Sequence, residues 1–447
     1  MSRLTYRRRD LIKAFQRIIH AESFGGIFLF VCALLAMIVA NSPWGEAYFE
    51  LWHQKLGIAY GENGYLGFSL HLWINDVLMS FFFLMVGLEI KREFLYGGLS
   101  GFKKAAFPAI AAIGGMIVPA IIYIIFNAGT PTAHGFGIPM ATDIAFALGV
   151  VLLLGKRVPA SLKLFLVTLA VVDDLGAIVV IAIFYSSGVS LFWLLCSAFL
   201  VGVLVALNYA GVRSLIPYLL VGVVLWFCTH ESGIHATISA VVLAFCIPTE
   251  PKMKPQAFME KIDEEIKHFS HSEKERENVL LTEEQIHQVE GMKKAISQVQ
   301  SPLSKLEHFL HSYSTYLIMP LFAFANAGVS IQGGSIDFSS SHIIYGVALG
   351  LIVGKPVGIF ALTFLCEKLG IASRPEGLSW SYIFGAGMLA GIGFTMSMFV
   401  SNLAFIEASY VDIAKISILC SSLLAGILGS ITLLFLGKKT NVLKSQA

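Results

Sequence analysis

The sequence predicts an all-α membrane protein that crosses the bilayer many times. Of its 447 residues, 56% are hydrophobic and only 13% are charged, whereas about 25% of a soluble domain is charged. Apolar runs of membrane length, or close to it, recur twelve times along the chain. Basic residues fall almost entirely in alternate loops, which is the pattern of a polytopic membrane protein.

The twelve predicted spans follow one another with short connections. They lie at 24–40, 72–89, 105–126, 137–155, 161–184, 191–209, 215–229, 234–247, 313–327, 343–365, 381–405 and 413–436. Of the 31 Lys and Arg residues, all but three fit one orientation, the exceptions being Lys55, Lys355 and Lys415. The positive-inside rule then predicts that both termini are cytoplasmic.

The whole chain, 1–447, is predicted to be a single membrane domain with the lipid bilayer as its surroundings. Six cysteines are scattered through apolar segments without paired spacing, so neither a disulfide framework nor a metal cage is indicated. We expect no resident cofactor and no nucleic-acid partner.

Two connections differ in composition from the rest. Residues 44–70 are Gly-rich and weakly apolar, and predict a short external hairpin or a partly ordered loop. Residues 250–307 form an extended charged cytoplasmic loop that holds 12 of the 29 acidic residues. Apolar positions predict two short amphipathic helices there, at Phe258, Ile262, Ile266 and Phe269, and at Ile286, Val289, Met292, Ile296 and Val299 behind a capping box at Thr282–Gln285. A solvated loop on the membrane face and a regulatory or dimer-forming arm both fit this pattern.

The fourth and eleventh spans are predicted to be broken. The fourth contains Pro139 and the polar pair Thr142 and Asp143, and the eleventh contains four glycines between 385 and 393. Unwound backbone at membrane depth is tolerated where it lines a cavity. These spans are the middle members of two triplets, spans 3–5 and 10–12, which would form inverted repeats with an ion site near the bilayer midplane.

Two adjacent aspartates, Asp173 and Asp174, lie in the middle of the fifth span. A single carboxylate at the bilayer centre costs roughly 2.5–3.5 kcal/mol, and two neighbours resist each other's ionisation. Such a costly pair indicates a functional charge, which could bind a cation, carry protons, or exchange one for the other.

The remaining deep polar groups limit which cation would bind. Asp143 and Lys355 accompany the aspartate pair, and carboxylate, hydroxyl and carbonyl oxygens are hard ligands. Asp143 could instead cap a half-helix N-terminus, Lys355 could be a structural counter-charge, and His235 near an external mouth could be a packed neutral side chain or a pH sensor.

At this point the chain resembles the NhaA-type bacterial sodium/proton antiporters over nearly its whole length. The resemblance rests on specific segments: NDVLMSFFFLMVGLEIKRE from Asn75, PMATDIAFALGV from Pro139, LAVVDDLGAI from Leu169, SGIHATISA from Ser232, LEHFLH from Leu306, PLFAFANAGVS from Pro320, VGKPVGI from Val353 and AGIGFTMSMF from Ala390.

The resemblance implies roles for the deep residues. Asp174 would be the principal sodium ligand, with Asp173 beside it as proton carrier and partner of Lys355, and Thr142 as a further ligand. The broken spans would cross, with Asp143 offsetting the positive half-helix ends and Lys355 the negative ones.

The resemblance also implies accessory residues and a physiological role. Asp76 matches an acid involved in folding and transport, His235 a pH-linked position, and a cytoplasmic cluster is associated with pH response: Glu89, Arg92, Glu93, Glu307 and His308. The implied activity is electrogenic export of sodium or lithium from the bacterial inner membrane in exchange for protons. A homodimer through an external hairpin, here 44–70, is also implied.

Two departures and several alternatives accompany this interpretation. The charged loop is longer than in the family, and Ser304 stands where a basic residue is expected, with Lys305 beside it. The alternative within transporters is a sodium-coupled symporter of a related fold. An intramembrane aspartyl protease would need a GxGD string and a prenyl-transfer enzyme a DDxxD-like cluster, and the sequence has neither. A channel would show a ring of repeated filter residues, and the absence of an obvious one in the sequence argues against this class, as does the single deep lysine, Lys355.

Overall fold

Helices account for almost all regular structure in the computed structural model, which describes residues 24–60, 64–99, 102–186, 188–271, 281–330 and 341–446. A helix occupies each of the twelve segments predicted as spans. This follows from the composition, because a backbone among apolar side chains must satisfy its hydrogen bonds within its own segment.

The described residues of the amino-terminal half form nine α-helices, two strands, one ten-residue 3₁₀ helix and a short 3₁₀ turn at Gly155–Arg157. Their bounds are α1 Phe24–Ala40, α2 Gly45–His53, β1 Lys55–Tyr60, β2 Gly64–Ser69, α3 Leu70–Tyr96, α4 Phe102–Asn127, the 3₁₀ helix Pro131–Met140, α5 Ile144–Leu154, α6 Ala160–Phe184, α7 Leu191–Tyr209, α8 Leu215–Glu231 and α9 Ala236–Cys246. Within α3 the segment Trp73–Leu78 is wound as a π-helix.

The carboxy-terminal half begins with two helices of the charged loop and continues with apolar helices. Their bounds are α10 Pro255–His271, α11 Glu283–Val299, α12 Pro302–Tyr313, α13 Met319–Asn326, α14 Ser341–Leu349, α15 Lys355–Lys368, α16 Trp380–Ala390, α17 Phe394–Ala404 and α18 Ala408–Gln446. Single π turns join α12 to α13 at Ser314–Ile318 and α14 to α15 at Gly350–Gly354.

Within the described ranges, seven helices are long and apolar enough to cross a membrane alone, and nine if each bent pair counts as one span. The bent pairs are α1 with α2, at 112°, and α16 with α17, at 49°. The helices α8 and α9 are apolar but shorter. The protein is therefore a multi-pass membrane protein with broken helices, and the count of twelve crossings stays a prediction.

The two unusual connections adopt the elements that the sequence predicts, with one error of register. Strands β1 and β2 form an antiparallel hairpin that pairs Lys55 with Ser69. Helices α10 and α11 pack as a helical hairpin, and α11 begins with the predicted capping box. The apolar stripe predicted on α11 is wrong at Ile286 and Ile296, because these side chains are 46% and 47% exposed, while Gln285 and Ala295, one position earlier, are buried. The other three members of the stripe, Val289, Met292 and Val299, are partly buried.

Both breaks predicted at mid-membrane are present, and they meet. In the fourth span the 3₁₀ helix ends at Met140 and α5 starts at Ile144; in the eleventh, residues 391–393 separate α16 from α17. The amide of Asp143 donates to the carbonyl of Ile392 at 2.7 Å, and the Ser397 hydroxyl donates to the Ile138 carbonyl at 2.7 Å. In these two contacts the residue number falls from 143 to 138 on the fourth span while it rises from 392 to 397 on the eleventh. The two broken spans therefore cross antiparallel, as expected for inverted triplets.

Helices α4 and α15, from the two triplets, pack closely because glycines face each other at the contact. A Cβ atom on Gly358 would meet the Gly114 carbonyl, and a Cβ on Gly114 would meet the carbonyl of Gly358. Only glycine permits this approach. The contact fixes α15, and with it Lys355 at the start of that helix, against the crossing.

The outer part of the fourth span is wound as a ten-residue 3₁₀ helix. Runs longer than three or four residues are uncommon because their hydrogen-bond geometry is poorer. Side chains support this one: the Tyr185 hydroxyl accepts from the Gly137 amide at 3.1 Å, and the Tyr123 hydroxyl donates to the Thr132 carbonyl at 2.9 Å.

Candidate ion-binding site

The aspartate pair lies in the middle of α6, with both side chains inside the protein. Asp173 is 1% exposed and Asp174 is 2% exposed. Adjacent residues on a helix point about 100° apart, so the two carboxylates face different neighbours. Asp173 faces the crossing and Lys355, while Asp174 faces a cavity.

Asp173, Lys355 and Thr142 form a compact buried cluster. The Lys355 ammonium donates to Asp173 Oδ2 at 2.5 Å and to the Thr142 hydroxyl at 2.7 Å. The Thr142 oxygen lies 2.5 Å from the same carboxylate oxygen and 3.0 Å from the carbonyl of Ala390, so its single proton serves one of these two acceptors. The family resemblance implies this partnership of Asp173 with Lys355, and the two groups do lie together.

Among the described residues, two carboxylate oxygens at this site have no hydrogen-bond partner: Asp173 Oδ1 and Asp174 Oδ2. Buried oxygens without a partner are costly, and a cation in contact with them would relieve that cost. No group of three or more His, Cys, Asp and Glu side chains suited to a metal ion occurs in the same part of the chain. The donor set is thus one of hard oxygens beside a lysine.

Asp143 stabilises the crossing rather than pointing at the aspartate pair. Its Oδ1 accepts the amide of Phe146 at 2.9 Å and so caps α5. Its Oδ2 accepts the amide of Thr395 at 3.2 Å and also the hydroxyl of that residue. One carboxylate therefore serves the amino ends of two half-helices, α5 and α17, where helix dipoles favour an anion. This is the capping role considered from the sequence.

A cavity of about 440 Å³ leads to the site. Its wall includes Asp174, Thr142 and Asp143 at depth, and Glu89 and His311 further out. A second cavity of about 820 Å³ also includes Glu89 and His311 in its wall. The shared residues place the two cavities next to each other, so together they form a path from the surface around Arg92 and Lys305 towards Asp174.

The residues expected to form a cytoplasmic cluster lie at that outer cavity. Arg92 is 3.3 Å from carboxylate oxygens of both Glu93 and Glu307. Glu89 is partly buried one turn earlier on α3, and His308 is exposed on α12. The amide of Gly98 donates to Glu93 at 2.8 Å. The structure thus brings these five residues to one face, at the mouth of the path.

Asp76 and His235 lie away from the aspartate pair. Asp76 is in the π segment of α3, near the end opposite to Arg92, and His235 is among its electrostatic neighbours. The His235 imidazole contacts the carbonyl of Tyr185 at 2.8 Å, directly after α6. It is partly buried and hydrogen-bonded, which fits a packed role as well as a sensing one.

Reasoning from the sequence missed the hydroxyls that join the crossing. Thr395 binds Asp143, Ser397 binds the 3₁₀ helix, and the Ser422 hydroxyl accepts the Phe394 amide at 3.1 Å. The signal was present, because polar side chains follow the glycines of the eleventh span. Without the crossing geometry, hydroxyls in a membrane helix are indistinguishable from those that bond to their own backbone.

Fold and site together define a membrane protein in which two broken helices cross beside a buried carboxylate pair, one member of which lies in the wall of a cavity. The profile of the family described as Na+/H+ antiporter 1 matches residues 16–433. The chain belongs to this family.

Curated relatives agree over most of both chains. The chain is 62% identical over 411 residues to "Na(+)/H(+) antiporter NhaA" of Wolinella succinogenes, which covers 92% of this chain and 90% of the relative. It is 58% identical over 430 residues to "Na(+)/H(+) antiporter NhaA 2" of Helicobacter hepaticus, with 96% of each chain covered. A relative from Helicobacter pylori, also named "Na(+)/H(+) antiporter NhaA", is 57% identical over 429 residues, which covers 95% of this chain and 96% of the relative.

Proposed function

We propose that this protein exchanges sodium ions for protons across a bacterial inner membrane, with both termini in the cytoplasm. It is a transporter rather than an enzyme, as are the relatives named antiporters. The observation that carries the proposal is the cavity that reaches Asp174, whose Oδ2 has no partner in the described structure, directly beside the lysine-bound Asp173.

Competition for one site provides the coupling. Sodium would contact Asp174 and a free oxygen of Asp173, with the Thr142 hydroxyl close by. When the carboxylates are protonated they no longer attract the cation, and when they lose protons the cation binds. A carrier that closes only with the site neutralised in one of these two ways exchanges the two ions without letting either leak.

Lys355 extends this competition. Its ammonium occupies Asp173 Oδ2 in the present arrangement, and a cation entering the site would compete with it for that carboxylate. We propose that the Lys355–Asp173 pair and Asp174 hold protons between them in the sodium-free state and release them as sodium binds. More than one proton per sodium would make the exchange electrogenic and driven by the proton gradient.

The same site would accept lithium, which is a smaller hard cation with the same preference for oxygen ligands. The cluster at the outer cavity is proposed to adjust activity to pH. Its carboxylates and imidazoles stand where cations reach the path, so their charge alters the local potential. The homodimer through β1 and β2 remains part of the proposal.

The decisive experiment is sodium-induced proton movement in proteoliposomes that contain only this protein. Addition of sodium should move protons in the opposite direction, and lithium should do the same. Asp174→Asn should abolish the signal, because it removes the ionisable oxygen for which both ions compete. The matched control is Asp263→Asn, an exposed acid on α10, which should retain exchange.

Two results would count against the proposal. Strong exchange by Asp174→Asn would remove the carboxylate from the mechanism. Sodium uptake with no opposing proton movement, at any pH, would favour the symporter of a related fold.

A further inference from the structure

Three asparagines form a directed hydrogen-bond chain on the side of the molecule opposite to the cavity mouth. The Asn402 amide donates to Asn326 Oδ1 at 2.7 Å, and the Asn326 amide donates to Asn75 Oδ1 at 2.8 Å. The Asn75 amide in turn lies within 2.9 Å of a ring nitrogen of His71, which is exposed. We call Asn75, Asn326 and Asn402 the asparagine triad.

The triad joins three helices that belong to different parts of the fold. Asn402 is on α17, the outer half of the broken eleventh span, Asn326 ends α13, and Asn75 is in the π segment of α3. Asn326 is fully buried, and its second amide hydrogen is used by the Phe322 carbonyl at 3.0 Å. Every polar group of Asn326 therefore has a partner, as a buried amide requires.

Directly beneath the triad, the same three helices contribute one phenylalanine each. Phe83 of α3 lies 5.3 Å from Phe399 of α17, and Phe322 of α13 lies 6.3 Å from it, measured between ring centroids. None of the three is more than 1% exposed. We call these three residues the phenylalanine layer.

Beneath the phenylalanine layer the ion cavity begins. Each of the three helices contributes a methionine to its wall: Met85, Met319 and Met396. On α17, Met396, Phe399 and Asn402 follow one another at intervals of three residues, so each layer lies about one helical turn further out than the last. The order from the cavity outward is methionine, phenylalanine, asparagine.

We propose that the phenylalanine layer and the asparagine triad are the outer gate of the transporter, and that the triad is the latch that keeps it closed while the site is open to the cytoplasm. This rests on the proposed function, since a gate is needed only if access alternates. The apolar layer excludes ions, and the triad ties α17 to α3 and α13 so that the layer stays closed.

Asparagine suits a latch because its bonds exchange partners at little net cost. When the helices separate, water replaces each lost partner, so opening costs only the small net value of the bonds. In the closed state Asn75 and Asn326 are buried, Asn402 is partly buried, and the three amides hold one another. A purely apolar contact of the same size would lack this directional tie.

The test measures access to position 396 from the outer side. Met396→Cys is reconstituted in right-side-out vesicles without sodium and treated with a membrane-impermeant thiol reagent, and modification at position 396 is followed by peptide mass spectrometry. Adding Asn402→Ala removes one link of the triad, and the rate should rise roughly fivefold, the equivalent of one net hydrogen bond. Adding Asn326→Ala removes two links and should raise the rate further.

The matched control is Asn127→Ala, which removes another fully buried amide, bonded to the carbonyls of Tyr123 and His342 and to the Thr132 hydroxyl, and not to the triad. It should leave the outer rate at position 396 unchanged. Equal acceleration by all three variants, or by none, would overturn the proposal.

Asn402 is only partly buried, so its alanine variant should fold even if that of Asn326 does not. Because the readout needs no exchange, a protein without sodium/proton antiport would still report the state of the gate.

Discussion

At the scale of single residues, the two aspartates of the pair have unequal surroundings. Asp173 is bound by Lys355 and Thr142, whereas Asp174 faces the cavity with an unpartnered oxygen. Neighbouring positions on one helix therefore have different roles: one carboxylate is held in place by a counter-charge, and the other is free to receive a ligand. The family resemblance implies that Lys355 pairs with Asp173, but only the structure shows that Asp174 lies in the wall of a cavity.

Lys355→Ala should destabilise the protein strongly. The variant leaves the Asp173 carboxylate buried without its counter-charge, and breaking a buried pair from one side costs about 3–5 kcal/mol. The thermal midpoint in detergent should fall clearly, and the pH profile of exchange should shift. Adding Asp173→Asn should recover much of the loss, because the uncompensated charge is then gone. An unchanged midpoint in the single variant would show that the pair is not important for stability.

At the cavity mouth, stability should depend on pH through Glu307. Burial raises the pKa of this carboxyl, and Glu89 and Glu93 reinforce the shift, while Arg92 and His311 oppose it. The folded protein thus keeps this proton at pH values where the unfolded chain has lost it. The stabilisation is complete below the ordinary pKa of a glutamic acid and is lost as pH rises through the raised value.

Glu307→Gln should remove that loss, so the thermal midpoint of the variant should fall less steeply with rising pH than that of the parent. Ser304→Ala is the control, since this residue lines the same cavity without a titratable group. It should shift the curve without changing its slope. Parallel curves for Glu307→Gln and the parent would exclude this carboxyl as the source of the dependence.

At the scale of elements, the contact between α4 and α15 is the most sensitive to added volume. Gly358→Ala would place a methyl group against the Gly114 backbone carbonyl. Because the clash is with backbone rather than with a flexible side chain, one of the two helices would have to shift. We expect a loss of about 1–3 kcal/mol, typical of overpacking, with weaker exchange because Lys355 lies one turn away. The midpoint and the exchange rate are measured on the same preparation.

The matched control for this substitution is Gly202→Ala on α7, where a Cβ would meet nothing within 4 Å. Alanine is the better helix former, so this change should be neutral or slightly stabilising. If both alanine variants behave alike, the close approach of α4 and α15 is not what limits the protein.

Much at the element scale was predictable from sequence, and the failures have physical causes. The breaks at Thr142–Asp143 and in the glycine-rich span were predictable because Pro, Gly and buried polar residues weaken helices. The capping box of α11 was predictable because it is local. The buried face of α11 was not, since the small Ala295 is buried where the larger Ile296 was expected to be. Periodicity alone cannot tell neighbouring positions apart when the partner helix is unknown.

At the scale of the whole molecule, the distribution of basic residues predicts an orientation in the membrane that can be tested directly. Seven spans are predicted between α2 and α10, so exposed positions on these helices should face opposite sides. In right-side-out vesicles, an impermeant thiol reagent should modify Glu46→Cys and leave Glu264→Cys unmodified. Inverted vesicles should give the reverse. Modification of both from one side would require an even number of crossings between them.

The path to the aspartate pair also emerges only at this scale. Sequence motifs place Glu89, Glu307 and Asp174 on three separate segments. Their common relation to two adjoining cavities depends on how α3, α6 and α12 pack, which no local pattern encodes. The phenylalanine layer shows the same limit, because its members stand 239 and 77 positions apart in sequence, at Phe83, Phe322 and Phe399.

The 3₁₀ helix Pro131–Met140 determines how deep in the membrane the crossing lies. Ten residues wound in this way span about 20 Å, against about 15 Å as an α-helix. Rewinding the stretch into α would shorten it by about 5 Å, close to one α-helical pitch. The Thr142 hydroxyl follows directly after it and would shift by a distance larger than its 2.5 Å contact with Asp173. The depth at which threonine and aspartate meet is therefore set by how this stretch is wound as much as by how many residues it contains.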